Sequence, residues 1–384
     1  MTLTLNVSET IALPTGQLTL TVDNGPPLET LCDFAARANP KRGFLIVSKV
    51  LGRHLPAAPG AMRETMRDLA AKLPADLPQP VVFLGMAETA TALGQGIFAA
   101  YLDLHPGCDA IYLQTSRQRV ANANVMTSFE EGHSHATTHL IQIADPHLEM
   151  ASRNARTLVI VDDECSTGKT YVAAAESMSK FIPNLRAIET CCITDWSGGS
   201  YIPLMPKPTT GHAILHGSME WEAGTIPNPN TLAQGSNTPG TAPQTGMRSR
   251  SGLRTAETAL RSPISAAPNE RVLVLGDGEH SYEALLVAEE VQAQGGIAAV
   301  QCITRSPALQ GHAMNTRSTF TDAYGSGAPC FLYNILGHKP DRIMIVTEIE
   351  ENQQAEAKAA LAELGADLPV DIIVCSYAPE KAVS

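Results

Sequence analysis

The residues best suited to chemistry lie in TLVIVDDECSTGKTYVAAAESM, residues 157–178. The apolar run Leu158 to Val161 reads as a buried parallel strand. Asp162 and Asp163 follow at its carboxyl end, where open α/β sheets bind ligands. The loop Glu164-Cys165-Ser166-Thr167-Gly168-Lys169-Thr170 then opens a helix. Its backbone N–H groups, its hydroxyls and the helix N-terminus make an anion cradle. Gly168 supplies the close approach or positive φ that such a turn needs. Two carboxylates ahead of a phosphate cradle suit a ligand with hydroxyls as well as phosphate, and a ribose 5-phosphate meets both demands. Ser-Thr-Gly-Lys-Thr also ends a Walker A loop. The glycine required five residues before Gly168 is however Asp163, whose charge would face the phosphates. An ordinary solvated turn is the other alternative, and it gives no reason for two adjacent acids.

The elements that must position this loop follow from the hydrophobic pattern. Short β-rich runs alternate with Ala-, Leu- and Glu-rich stretches, which argues an α/β fold with parallel sheets. Strands are predicted at 43–48, 80–85, 110–114, 157–161 and 186–193, and again at 271–275, 297–303, 330–333, 342–346 and 371–375. Residues 201–269 are dense in Pro, Gly, Ser, Thr and Asn and read as a linker or long surface excursion, although GHAILHGSMEWEA within them has apolar content. That leaves one domain at 1–200 and another at 270–384. The two look like repeats. VVFLGMAETATALGQG and RVLVLGDGEHSYEALL are each strand, Gly, two residues, Glu, helix. Each runs on to a further strand and a basic turn, Thr115-Ser116-Arg117 or Thr304-Arg305-Ser306. Duplication of one α/β unit accounts for this order; the alternative is that any two α/β domains align as well.

The strand–loop–helix segment resembles the phosphoribosyl pyrophosphate (PRPP) loop of type I phosphoribosyltransferases: four apolar residues, two acids and a Thr-Gly-x-Thr turn. The resemblance implies that Asp162 and Asp163 hold the ribose hydroxyls and, indirectly, Mg²⁺, while Cys165 to Thr170 hold the 5-phosphate. Glu164 departs from the pattern by adding a negative charge. Gly85-Met86-Ala87-Glu88-Thr89 fits the pyrophosphate loop, with Glu88 where many members present a cation. Arg117 to His139 fits the mobile hood. By the same resemblance Arg117 would neutralise pyrophosphate, and Glu131, His133 or His135 would move a proton or position the acceptor. His133, His135 and His139 also form a candidate transition-metal set, and a plain solvated loop is the third alternative. Lys41, Arg42, Lys49, Arg53 and His54 make a basic patch. Lys49 and His54 within it would contact acceptor or phosphate, or else form ordinary surface.

Taken together, FLIVSKVLGRH, FEEGHSHATTH and VDDECSTGKT resemble more closely the phosphoribosyltransferase-like family of tellurium-resistance-type gene neighbourhoods. Its C-terminal partner is the TRSP domain, and Thr304-Arg305-Ser306-Pro307 supplies those four letters. The implied fold is a type I phosphoribosyltransferase-like parallel sheet with hood, joined to a second α/β domain as a degenerate duplicate. The implied activity is Mg²⁺-dependent pentosyl transfer from PRPP to an unidentified base-like small molecule, in synthesis of a nucleoside-like metabolite; homodimers are common in such families. In the second domain the counterpart of the PRPP loop reads Thr347-Glu348-Ile349-Glu350-Glu351, without glycine and with three acids that would repel a phosphate. Arg305, with Glu279 and Tyr324, would complete an acceptor site or belong to a purely structural partner. A non-catalytic PRPP or nucleotide sensor would use the same first loop.

Composition bounds these readings. The 384 residues suit two or three domains at about 150 each. Twenty-seven basic against 39 acidic residues give a net charge of −12, which disfavours a broad nucleic-acid or anionic-membrane surface. The apolar runs stay far below the ~20 residues of a membrane span. With no basic-then-apolar start and no CxxC among eight cysteines, a cytoplasmic protein is expected.

Overall fold

The computed structural model describes residues 7–39, 42–121, 123–130, 138–224, 241–242, 248–255, 263–363 and 368–375. The chain begins with an antiparallel hairpin, β1 (Val7–Leu13) and β2 (Gly16–Asn24). After the short α1 (Leu28–Leu31) comes a second hairpin, β3 (Cys32–Ala36) with β4 (Phe44–Ser48). Then follow α2 (Pro59–Lys72), β5 (Val81–Gly85), α3 (Thr91–Leu104) and β6 (Ala110–Ser116). The hood region contains β7 (Arg119–Val120) and the antiparallel pair β8 (Asn124–Glu130) and β9 (Thr138–Ile143). Helix α4 (Pro146–Arg153) returns the chain to β10 (Thr157–Val161). Next come β11 (Glu164–Cys165), α5 (Lys169–Phe181), β12 (Ala187–Asp195) and β13 (Thr209–Ala223).

These strands form one sheet in the order β1-β2-β13-β12-β10-β5-β6-β9-β8, parallel from β13 to β6 and antiparallel at both flanks. Every residue of β5 and β10 is buried, which is why those runs are continuously apolar rather than alternating.

Strand β13 corrects the linker reading for residues 209–223. It is fifteen residues long and lies between β12 and β2. Its buried residues, Ala213, Leu215 and Gly217, recur with the period of two that a strand requires. Pro- and Gly-rich neighbours hid that period in the composition. Part of the remaining segment is also tied down: β14 (Thr241–Ala242) pairs with β7, and Leu253 exchanges backbone hydrogen bonds with Tyr112.

The second unit comprises β15 (Arg271–Asp277), α6 (Ser281–Ala293), β16 (Ile297–Ile303), β17 (Arg317–Thr321), β18 (Pro329–Tyr333), β19 (Arg342–Thr347), α7 (Ala355–Glu363) and β20 (Val370–Val374). Its parallel sheet runs β16-β15-β19-β20, the same order as β6-β5-β10-β12 in the first unit. A β17–β18 hairpin stands between β16 and β19 as β8–β9 stands between β6 and β10. All ten strands expected from the sequence are present, within two residues at each end. The units meet along α3 and α6, where Thr91 Oγ1 lies 3.1 Å from Ser281 Oγ.

Candidate active site

The carboxyl end of β10 is held from both sides. Met86 N–H donates to Val161 O (2.9 Å), Asp162 N–H to Cys191 O (3.0 Å), and Ile193 N–H to Asp163 O (3.0 Å). The two aspartates are therefore fixed between β5 and β12, and both line a cavity. Burial and then the nearby Glu164 push the Asp163 carboxyl up to about 6. Asp162 Oδ1 accepts the Asp163 N–H (3.0 Å). The extra charge of Glu164 is met by Arg42, whose guanidinium reaches both carboxylate oxygens (2.7 and 2.8 Å). Burial raises the Cys165 thiol, so it stays protonated and unreactive.

The loop 164–170 turns from β11 into α5. Gly168 caps α5 at φ +71°, and a Cβ there would sit 2.3 Å from the Tyr201 side chain, so only glycine fits. Among the described residues, the N–H groups of Ser166, Thr167 and Gly168 take no hydrogen-bond partner. Lys169 and Thr170 open the helix, where N–H groups have no intrahelical acceptor. Together these groups form an amide cradle that donates no hydrogen bond to the described residues.

Opposite lies the loop after β5. Gly85 ends the strand against Tyr112, and Met86, Ala87, Glu88 and Thr89 line the same cavity. The Ala87 N–H donates to Thr115 Oγ1 (2.7 Å), which lies 2.9 Å from His139 Nδ1. His139 is buried and stacks on Phe129 at 4.7 Å. Arg117 spans the loop and the hood, donating to Ala87 O (3.4 Å) and Thr138 O (3.0 Å). Glu88 faces the second unit: it pairs with Arg53 and accepts the Arg305 N–H (3.2 Å). Burial alone would raise its carboxyl, but Arg53, then Arg305, outweigh burial and hold it below the usual range.

The remaining wall is built from distant parts of the chain. Leu45 and Ile46 of β4, with Arg37 after β3, contribute one side; Thr304, Arg305 and Ser306 of the second unit contribute another. Arg37 donates to Ser306 Oγ (2.8 Å), joining the two. Arg305 is anchored by Asp322 and by Ser326 Oγ (3.2 Å). His54 lines the cavity, 3% exposed; burial, then Arg53 and Arg37, lowers its imidazole far enough to keep it neutral.

Most predicted site residues thus converge: Asp162, Asp163, the 164–170 loop, Met86 to Thr89, Arg117, His54 and Arg305. Lys49 does not. It is partly exposed, bonded to Glu29 O (2.9 Å) and 4.0 Å from Asp33, outside the cavity wall, because β4 ends one residue earlier and the chain turns away. Glu131, His133 and His135 lie outside the described residues, so of the histidine set only His139 is seen. Among the described residues no group of three metal-binding side chains forms a metal site. Sequence reasoning gave Arg37 and Thr115 no site role and His139 only a metal-ligand one; each is a lone side chain whose place depends on how β3, β6 and β9 are packed.

The central parallel strand thus ends in two acids beside an open amide cradle, facing a second strand–loop–helix. A family model for phosphoribosyl transferase matches residues 31–203, and one for the TRSP domain C-terminal to it matches residues 240–364. The first unit carries the phosphoribosyl transferase match and the second unit the TRSP match, and these support a phosphoribosyltransferase. Similar solved structures include adenine phosphoribosyltransferase from Rhodothermus marinus, at 16% identity and a TM-score of 0.35, over 49% of this chain and 94% of that one. The Trypanosoma brucei adenine phosphoribosyltransferase, in complex with AMP, pyrophosphate and ribose-5-phosphate, matches at 14% identity and 0.33, over 49% and 80%. Orotate phosphoribosyltransferase from Mycobacterium tuberculosis matches at 14% and 0.27, over 49% and 91%. No curated protein sequence matches the chain. No helix among the described residues is long and apolar enough to cross a membrane.

Proposed function

We propose that the protein transfers the phosphoribosyl group of PRPP to a base-like acceptor and releases pyrophosphate. The observation that carries this reading is the pairing, in one cavity, of the unpartnered 166–168 amides with the Asp162 and Asp163 carboxylates. The amides and the start of α5 would take the 5-phosphate. The two carboxylates would accept the ribose hydroxyls and stabilise positive charge as it grows at C1. The loop 86–89 and Arg117 would receive the pyrophosphate. The bond from C1 to the pyrophosphate oxygen breaks, the bond from C1 to the acceptor forms, and the acceptor gives up a proton. The product is a nucleotide-like glycoside, a fit precursor for a nucleoside-like metabolite.

Mg²⁺ suits the same residues. Asp162 and Asp163 are adjacent carboxylates lining one cavity, and burial, then the charge of Glu164, raises the Asp163 carboxyl. Two carboxylates with ligand oxygens and water are a usual Mg²⁺ environment. When bound, the ion would neutralise charge on pyrophosphate. The acceptor would lie between Leu45, Ile46 and the TRSP turn, where neutral His54 and Arg305 would define its polar edge.

The test is calorimetric titration of PRPP with Mg²⁺, followed by ³¹P NMR of the mixture over hours and an acceptor screen. Binding and pyrophosphate release in the wild type, with release lost in a folded Asp163→Asn variant, is the expected result. Unchanged turnover in that variant would remove the mechanism. Binding without turnover under every acceptor would leave a sensor.

A further inference from the structure

The two units are joined by a reciprocal exchange of carboxylates. In the first, Glu88 lies three residues after the glycine that ends β5; in the second, Glu279 lies three residues after Gly276 in β15. Each reaches across to the basic turn of the other unit. Glu88 accepts the Arg305 N–H (3.2 Å), and Glu279 Oε1 accepts the Arg117 N–H (2.7 Å). Each is also met by a buried arginine, Arg53 for Glu88 and Arg250 for Glu279.

Glu279 is the more tightly committed of the pair. It is 2% exposed, and its Oε2 accepts from Ser116 Oγ (2.8 Å) and Arg250 Nε (2.6 Å). A buried carboxylate must be satisfied by donors. Two of these three donors come from the first unit's turn at the end of β6. That turn carries Arg117, whose guanidinium spans Ala87 O and Thr138 O between the loop 86–89 and the hood.

We propose that Glu279 is a positioning residue for the pyrophosphate end of the first unit's site, so that the TRSP domain is a built-in partner without which that end is not assembled. The proposal rests on the phosphoribosyl-transfer reading above. It also gives Glu88, a departure from the family pattern, a job: a clamp that brings the second unit's Arg305 to the cavity.

Two substitutions separate positioning from simple neutralisation of Arg250. Glu279→Gln keeps the reach to the Arg117 N–H and loses the charge; Glu279→Asp keeps the charge and, one methylene shorter, withdraws from that N–H. The full chain is titrated with Mg²⁺-pyrophosphate and, separately, with ribose 5-phosphate, with near-ultraviolet circular dichroism checking the fold. Positioning predicts that Asp weakens pyrophosphate about tenfold, the loss of one charge-assisted hydrogen bond, with ribose 5-phosphate unchanged. Gln stays near the wild type. If Asp does not fold, Ser116→Ala stands in for it: it removes one of the turn's two bonds to Glu279 while keeping the charge, and should weaken pyrophosphate with ribose 5-phosphate unchanged. The opposite order of the two variants, equal losses for both ligands, or no loss in either variant overturns the proposal while leaving the transferase reading intact. A wild type that binds neither ligand overturns both.

Discussion

The raised carboxyl of Asp163 makes ligand binding depend on pH in a calculable way. Its ordinary value is 3.8, and burial with the nearby Glu164 moves it to about 6. The charged form accepts ribose hydroxyls more strongly and it alone attracts Mg²⁺, so this charge-assisted contribution is present above the shifted value and lost as pH falls through it. With a midpoint near 6, the carboxylate is about 90% ionised at pH 7 and about 10% at pH 5. Its contribution to affinity should therefore fall about tenfold between those two values. PRPP also titrates in this range, so the quantity to measure is the ratio of wild-type to Asp163→Asn affinity for Mg²⁺-PRPP, in which the ligand's own protonation cancels. Calorimetry at pH 5, 6 and 7.5 should show the ratio collapsing toward one in acid. A ratio that holds constant from pH 7.5 to 5 would refute the assignment of Asp163 as a charged ribose and metal contact.

Two further perturbations test the scaffold. Gly168→Ala forces a side chain to adopt φ +71° and to collide with Tyr201. The backbone strain alone is about 1–2 kcal/mol, and ribose 5-phosphate affinity should drop more than tenfold in calorimetry, whereas an unchanged affinity would mean that the loop holds no phosphate. Arg250→Met removes the arginine shared by Glu279 and Glu348, both buried. Breaking a buried pair this way costs about 3–5 kcal/mol, so the urea midpoint of the full chain should fall clearly; an unchanged midpoint would show that Arg250 is not a structural tie.

How much of this could be read in advance depended on where the signal resided. Of the ten predicted strands eight lie in the parallel sheets and two, β4 and β18, in antiparallel hairpins; most are buried and so write a continuous apolar run, as in Leu158 to Val161. The phosphate loop was legible because one contiguous segment holds strand, acids and cradle. Strands β2 and β13 alternate with a period of two that short polar neighbours diluted below notice, and β1 is exposed along most of its length. The repeat showed in spacing, and the shared strand order agrees with it. What no sequence window could reveal were contacts across the seam. Glu88 looked misplaced as a pyrophosphate ligand because its partners, Arg53 and Arg305, are remote in the chain. Likewise Glu164 looked repulsive until the β3–β4 hairpin delivered Arg42.

The place of β13 in the sheet also orders the protein's synthesis. Strand β2 pairs with it antiparallel, Thr19 opposite Glu220, so the first hairpin to leave the ribosome waits for a neighbour about 200 residues further on. At roughly 5–20 residues per second that is a delay of about 10–40 s. During it, the edge of β2 that β13 will pair has no strand beside it. The parallel centre can form meanwhile, leaving β12 as a bare edge until residues 209–223 arrive. A nascent chain stalled short of that point would present two unpaired edges, the hazard from which aggregation begins.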